Sequence, residues 1–355
     1  MEMRKKFDEI FEDCTKLGTK IKTDEYHSNG KHPIIDQGQE MVAGFTDLED
    51  GLLDAVPAIV FGDHTRIIKY VDCPFFLGAD GVKVLRSKVP NANYRYLYYA
   101  LKNAKIPNTG YNRHYKWLKE LEIEYPPIDQ QVKTVKVLDK VESIIYNRQN
   151  QLQKLDELVK ARFVEMFGDP VTNPMDWPTK PLLEMGYCKN GMTFHTGDSG
   201  IEMHCLGVGD FKDYSVIDGT DYLPTISLNE APPEESMLQD GDLVFVRSNG
   251  NKALVGRCLL VYPHNTPTTY SGFCIRYRLT SAEVNIAYLL RVLKTDSMRK
   301  KMAGRGANIQ NLNQQILAAL NIPTPPLELQ EWFTAFIEQI DKSKAVEGLY
   351  SSLCL

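Results

Sequence analysis

Few of the reactive side chains in this sequence stand at spacings that chemistry would use. The seven cysteines (Cys14, Cys73, Cys188, Cys205, Cys258, Cys274 and Cys354) are odd in number and include no Cys-x-x-Cys pair. That is the pattern of free thiols in a reducing compartment. The seven histidines show no ligand spacing. His204 stands beside Cys205, but adjacent residues on a strand point to opposite faces, so the pair does not begin a metal site. There is no Gly-x-x-x-x-Gly-Lys-Ser/Thr loop to cradle a nucleotide phosphate. Asp63-His64-Thr65 supplies an acid and a base without a placed nucleophile.

Two basic groups are more suggestive: Lys102, Lys105, Arg113, Lys116 and Lys119, and later Arg299, Lys300, Lys301 and Arg305. Such cations could neutralise phosphates or form a solvated helix face. A net charge of −5 and a pI near 5.9 count against a broadly basic surface but not against a local patch. Asn173-Pro174-Met175-Asp176 resembles the Asn-Pro-Pro-aromatic motif of adenine methyltransferases, but lacks the second proline and the aromatic that stacks on a flipped base. It reads as a turn.

The two basic groups fall at corresponding places in an internal repeat. Leu121-Glu-Ile-Glu-Tyr-Pro-Pro-Ile-Asp-Gln-Gln131 is echoed by Leu320-Asn-Ile-Pro-Thr-Pro-Pro-Leu-Glu-Leu-Gln330. Each copy is an apolar run closed by Pro-Pro, then an acidic residue and a Gln, the signature of a strand end, a turn and a helix start. Ahead of each lies an apolar helical pattern, Asn93-Tyr-Arg-Tyr-Leu-Tyr-Tyr-Ala-Leu101 and Asn285-Ile-Ala-Tyr-Leu-Leu-Arg-Val-Leu293. Strand-like runs precede those helices, at Ala58-Ile-Val-Phe61, Gly81-Val-Lys-Val-Leu85 and Gly241-Asp-Leu-Val-Phe-Val-Arg247. One structural unit has been used twice.

At 355 residues the chain fits two or three domains, and 43% hydrophobic with 25% charged residues excludes general disorder. No apolar stretch approaches a membrane span and the N-terminus lacks a signal-peptide core, so a cytoplasmic protein without membrane contact is expected. Residues 128 to about 167 contain no Gly or Pro, which predicts a helix of about 60 Å at ~1.5 Å per residue. Its apolar residues Leu138, Val141, Ile145, Leu152, Leu155, Val159 and Met166 alternate three- and four-residue steps, a coiled-coil seam. Arg148 interrupts that seam. Gly168-Asp169-Pro170 ends the helix. The second helix carries Phe333, Phe336, Ile337 and Ile340 as its seam and is about a dozen residues shorter.

With these elements in this order, the chain resembles the DNA sequence-specificity (S) subunits of type I restriction-modification systems. The resemblance rests on Pro33-Ile-Ile-Asp-Gln-Gly-Gln39, Val60-Phe-Gly-Asp-His-Thr65 and Gly110-Tyr-Asn-Arg-His114 in the first half. In the second it rests on Phe167-Gly-Asp-Pro-Val-Thr-Asn-Pro174, Gly241-Asp-Leu-Val-Phe245 and Asn308-Ile-Gln-Asn311 before Ile322-Pro-Thr-Pro-Pro326. It covers nearly the whole chain.

The resemblance implies an α+β protein: two similar mixed α/β target-recognition domains separated by long helices forming an antiparallel coiled coil, with pseudo-twofold symmetry. Residues 1–127 and 169–326 would be the recognition domains, and 128–168 and 327–355 the spacer helices. Such a chain reads a split site on double-stranded DNA, one half per domain, with the helices as a ruler. A stiff helix pair can hold modules at a spacing matched to the duplex turn of about 34–36 Å. It is not itself an enzyme and binds no cofactor. Two methyltransferase (M) subunits would carry S-adenosylmethionine, and restriction/translocase (R) subunits would join for cleavage.

For DNA contact, Arg suits guanine, Asn or Gln suits adenine, and Lys, Ser or Thr suits phosphate. On that basis the candidates are Gln37, Gln39, His64, Thr65, Arg66, Asn112 and Arg113 in the first domain. In the second they are Arg247, Ser248, Asn249, Asn251, Lys252, Arg305, Asn308 and Asn311. Asp36 and Gly38 read as turn chemistry around Gln37. Because the C-terminal helix is short, the central helix is expected to lack a full partner near Phe163 to Phe167 or near its start. A truncated S-type scaffold and a stand-alone adenine methyltransferase remain alternatives. The missing catalytic motifs count against the latter.

Overall fold

The computed structural model describes residues 4–78, 81–110, 112–194, 197–211, 215–303 and 311–352, with side chains up to 344 in the last helix. The chain divides into two compact units, Met1–Asn147 and Arg148–Leu355. The division falls inside the helix Ile128–Phe167, and each unit takes part of that helix into its own packing.

In the first unit a four-stranded antiparallel sheet has the order Phe11–Asp13, Val82–Ser87, Ala58–Gly62, Ile68–Val71. Ala58–Gly62 is flanked on both sides and wholly buried, which is why it reads as an unbroken apolar run. A three-stranded sheet lies with it: His32–Ile35 pairs antiparallel with Gly44–Thr46 and parallel with Phe76–Leu77.

The helix Tyr94–Lys102 is started by Asn93, whose Oδ1 accepts the Tyr96 N–H at 3.1 Å, and it buries Tyr96, Leu97 and Leu101 in the core with Phe7, Phe11 and Phe61. Its polar face grips the long helix. Arg95 Nε donates to Asp139 Oδ1 at 3.1 Å, the Tyr99 hydroxyl donates to Glu142 Oε2 at 2.9 Å, and Lys102 Nζ reaches Glu142 Oε1 at 2.7 Å. Beside them Val135 and Leu138 pack against the core.

The second unit repeats this plan. Its larger sheet has the order Gly186–Asn190, Cys274–Leu279, Asp242–Val246, Cys258–Tyr262, Val216–Asp218, the last strand parallel to its neighbour. In its smaller sheet Ile201–Leu206 pairs antiparallel with Thr225–Leu228 and parallel with Thr268–Tyr270, the same arrangement of directions as in the first unit. Asn285 starts the helix Ile286–Lys294 by accepting from Ala287 and Tyr288.

The repeated Pro-Pro signature joins each unit to its helix. Glu122–Glu124 pairs with Arg4–Lys6, and Asn321–Pro323 pairs with Thr179–Pro181. The tyrosine hydroxyls of Tyr96 and Tyr288 hold these strand ends at Glu124 O (2.9 Å) and Pro323 O (3.0 Å). The glutamines are latches: Gln131 Nε2 donates to Pro126 O at 2.8 Å and Gln330 Nε2 to Pro325 O at 2.7 Å, both side chains being buried. Gln330 does more, because its Oε1 accepts the Asn285 N–H at 2.9 Å.

The expectation that the long helix lacks a partner near Phe163 to Phe167 is corrected here. Val159, Phe163 and Phe167 are buried in the second unit's core with Tyr288 and Phe333. Ring centroids lie 5.6 Å apart for Phe163 and Phe333 and 4.8 Å apart for Phe167 and Tyr288. Met166, Phe336 and Ile340 pack partly buried against that core, and Ile337 lies within it.

Lys344 pairs with Asp156, whereas the Arg162 guanidinium lies 4.8 Å over the Trp332 ring. The contacts therefore run in opposite directions along the C-terminal helix Leu327–Ser352 and the end of the long helix. Nor is the start of the long helix bare, since the first unit's core covers it at Val135 and Leu138. Exposed apolar residues occur along the whole helix, at Ile128, Val132 and Val137 near its start, Ile144, Ile145 and Tyr146 in the middle, and Leu158 and Val164 towards its end. Ile145 is a member of the expected seam that neither core takes up. Val141, Leu152 and Leu155 are half-buried.

Candidate nucleic-acid interface

In the first unit four loops meet at the Gly62 end of the central strand. The Asp63 N–H donates to Gly81 O at 2.7 Å, and the His114 N–H donates to Asp63 O at 2.8 Å. The Asp63 side chain, 3% exposed, accepts the Tyr115 N–H at 2.7 Å and so starts the short helix Tyr115–Lys119. His114, fully buried, sets Nδ1 3.0 Å from Asp63 O. The acid and the adjoining histidine pattern thus serve to fasten loops.

Gln37 occupies the centre of this joint. Its Oε1 accepts the His64 N–H at 3.2 Å, and its backbone carbonyl accepts the Thr65 hydroxyl at 2.7 Å. Gly81, at φ +91°, stands where a Cβ would come within 2.6 Å of Gln37 Nε2, so only glycine fits. Asp36 Oδ1 accepts the Gly38 N–H at 2.7 Å, the expected turn. The same carboxylate lies 3.4 Å from the Nζ of buried Lys69. Burial pushes the Lys69 ammonium below the usual lysine range, against the pull of Asp36.

Around this joint Gln39, Thr65, Asn112 and Arg113 are exposed, whereas Arg66 is half-buried with Nη1 3.3 Å from Ile106 O. The joint thus draws all seven first-unit candidates into loops on the same fastening. Of the nearby cations, Lys105, Arg113, Lys116 and Lys119 are exposed, Lys116 over the Trp117 ring and Lys119 over the Tyr115 ring, while Lys102 is held by Glu142.

The second unit builds the same joint from different residues. The Arg247 N–H donates to Phe273 O at 2.8 Å, and the Leu312 N–H donates to Arg247 O at 2.7 Å. Arg247 thus stands where Asp63 does, Phe273 where Gly81 does, and Leu312 where His114 does. Arg247 Nη1 is 3.2 Å from Gly272 O, and Ser248 forms a β-bridge with Asn311. Arg247, Ser248 and Asn311 line a cleft of about 320 Å³ together with Phe194 and Phe273.

Asn249 and Asn251 are engaged locally: Asn249 Oδ1 accepts the Asn251 N–H at 2.8 Å, and Asn251 Oδ1 accepts the Ala253 N–H at 3.0 Å, starting the turn that carries exposed Lys252. Arg305 and Asn308 lie outside the described residues. Phe273 and Phe194 were not candidates on sequence, since an aromatic next to a strand reads as core. Asp63 and His114 were visible only as parts of motifs.

The model of the family described as the type I restriction modification DNA specificity domain matches residues 3–157 and 220–349. The two matches together take in well over half of the chain and fall on both units. The chain belongs to this family. Among curated members, the type I restriction enzyme StySPI specificity subunit of Salmonella potsdam is 28% identical over 157 residues, 42% of this chain and 33% of that protein. The EcoR124I/EcoR124II specificity subunit of Escherichia coli is 30% identical over 84 residues, 23% of this chain and 21% of that protein. The chain thus matches one third or less of the length of these relatives.

Solved structures match the fold over almost its whole length. The S subunit of a type I restriction-modification system from M. genitalium has a TM-score of 0.55 at 16% identity, covering 99% of this chain and 94% of that one. A structure described as the basis of complex assembly and conformational transition of the type I R-M system has a TM-score of 0.54 at 14% identity, with the same coverage. The fold is therefore the two-domain, mixed α/β fold of specificity subunits. Among the described residues no helix is long and apolar enough to cross a membrane, and no group of three or more His, Cys, Asp or Glu could hold a metal ion.

Proposed function

We propose that this chain reads a two-part site on double-stranded DNA as the specificity subunit of a type I restriction-modification assembly, one half-site for each unit. The observation that carries the reading is the duplicated joint. Loops fastened at Asp63, Gly81 and His114 in one unit, and at Arg247, Phe273 and Leu312 in the other, present polar side chains on a rigid base. Rigid presentation is what base reading needs, because a side chain held in place loses little entropy on contact. Phosphate contacts would come from Lys105, Arg113, Lys116 and Lys119 in the first unit and from Lys252, with Arg305, in the second.

In this reading the helices are more than connectors. The long helix and its antiparallel partner form a coiled coil that fixes the gap between the half-sites, and the two units are related by pseudo-twofold symmetry. Two methyltransferase subunits dock on the helices, hold S-adenosylmethionine and methylate adenine, and restriction subunits join them in the cytoplasm. The chain itself contributes recognition and no catalysis. The aromatic packing of Phe163, Phe167, Tyr288 and Phe333 favours a functional subunit over a shortened scaffold, since it closes the part of the helix pair where a missing partner was expected.

The test is to express the chain with the methyltransferase subunit of its own system and map methylated adenines across the host genome. A split motif with a constant gap supports the reading. A contiguous motif, or none, contradicts it, and so would methyl transfer by the purified chain alone.

A further inference from the structure

The two joints share their backbone bonds but differ in what they present. In the first unit the residue that receives the Asp63 N–H is Gly81, which has no side chain and packs against Gln37. In the second it is Phe273, whose carbonyl accepts from Arg247 at 2.8 Å and from Ser248 at 3.3 Å while its own N–H donates to Ser271 Oγ at 3.3 Å. The backbone on both sides of this phenylalanine is thus held, yet the side chain is 63% exposed. A large aromatic kept in water on a fastened backbone gains free energy only when something covers it.

Its surroundings define what would cover it. Phe273 and Phe194 line the cleft of about 320 Å³ with Arg247, Ser248, Gly272 and Asn311. That is at the small end of the roughly 300–1,000 Å³ range of ligand-sized clefts, enough for one flat group. Arg and Asn offer hydrogen bonds suited to the edges of purines, and an aromatic ring beside them offers apolar contact to a thymine methyl or a base face. A guanidinium and an amide bordering an exposed ring are the ingredients of direct base readout.

We infer that Phe273 is a specificity-determining residue of the second unit, making apolar contact with one base of its half-site while Arg247 and Asn311 face the polar edges beside it. Gly81 leaves the first unit without this contact, so the two half-sites are read by different chemistry at equivalent places in the fold. The inference rests on the reading of the second unit as a DNA-reading module.

The experiment compares the methylated motif of the wild-type chain with those of Phe273→Ala and Phe273→Tyr, each expressed with the methyltransferase subunit of its own system, with thermal melting of each purified chain. F273A should lose discrimination by roughly tenfold at one position of one half-site, the scale of a single lost base contact. The other half-site and the gap stay as in wild type, and F273Y keeps the wild-type motif. If F273A melts like wild type and leaves both half-sites as sharp as before, or lowers methylation equally at all sequences, Phe273 does not read a base. If F273A melts lower, the pattern of the loss decides: one position relaxed in F273A and kept in F273Y supports the contact, and a wild-type motif or an equal loss at all sequences in F273A overturns it. A wild-type chain that yields no two-part motif overturns both this inference and the reading beneath it.

Discussion

His114 donates its backbone N–H to the carbonyl of Asp63 at 2.8 Å, across 51 residues of sequence, and Leu312 makes the corresponding bond to Arg247 at 2.7 Å. These bonds tie the end of each central strand to the loop that precedes a short helix. Asp63→Ala keeps the backbone bond but removes the carboxylate that accepts the Tyr115 N–H. The expected cost is about 1–2 kcal/mol, the scale of a lost cap at a buried helix start. Urea unfolding of the variant measures it, and Asp63→Asn should recover part of the loss.

The two latch glutamines should not be equal. Gln330 makes bonds to Asn285 N, Glu283 O and Pro325 O, so Gln330→Leu leaves the Asn285 N–H buried without its acceptor. About 2–3 kcal/mol should be lost. Gln131 donates to Pro126 O, and its Oε1 is buried without a hydrogen-bond partner among the described residues, so Gln131→Leu should cost about 1 kcal/mol or less. Denaturant midpoints of the two variants give the comparison directly.

In the aromatic cluster, Phe163→Ala and Phe333→Ala should each destabilise the second unit by about 3–5 kcal/mol, because the side chains are 4% and 0% exposed and leave cavities. The rings meet edge to face at 5.6 Å, so a double-mutant cycle should show coupling of about 0.5–1.5 kcal/mol. Additive losses would mean that the two rings do not support one another.

His264 supplies a pH dependence. Its Nε2 lies 2.6 Å from Asp218 Oδ1 and its Nδ1 3.5 Å from Asp240 Oδ2, and the hydrogen bond to Asp218 raises its pKa above the ordinary histidine value of 6.5. A raised folded-state pKa means that the imidazolium stabilises the fold fully below the unfolded value and ceases to do so as pH rises through the folded one. His264→Gln should therefore flatten a modest fall in melting temperature that sets in as pH rises above the ordinary histidine value of 6.5. The site is exposed, and salt should weaken the effect.

The long helix and the doubled Pro-Pro signature were legible in the sequence because each rests on local rules: no Gly or Pro over forty residues, and prolines that place a strand end before a helix start. The seam was legible only in part. Val159 is buried as the spacing requires, but burial then passes to Phe163 and Phe167, while Met166 is partly buried and Ile145 exposed. A straight helix drifts from a heptad repeat, and here it packs against a globular core as well as another helix. The joints were hidden because their bonds link backbone groups far apart in sequence. Phe273 was hidden because residue type alone does not tell an exposed aromatic from a buried one.

In the function proposed for this chain, each unit reads its own half-site while the helix between them sets the gap. The most direct measurement is the methylated-adenine map of the wild-type chain beside that of a variant with four residues inserted after Gln151, each expressed with its methyltransferase subunit. The expected result is the same two half-sites separated by a longer gap. A changed half-site with an unchanged gap would contradict it.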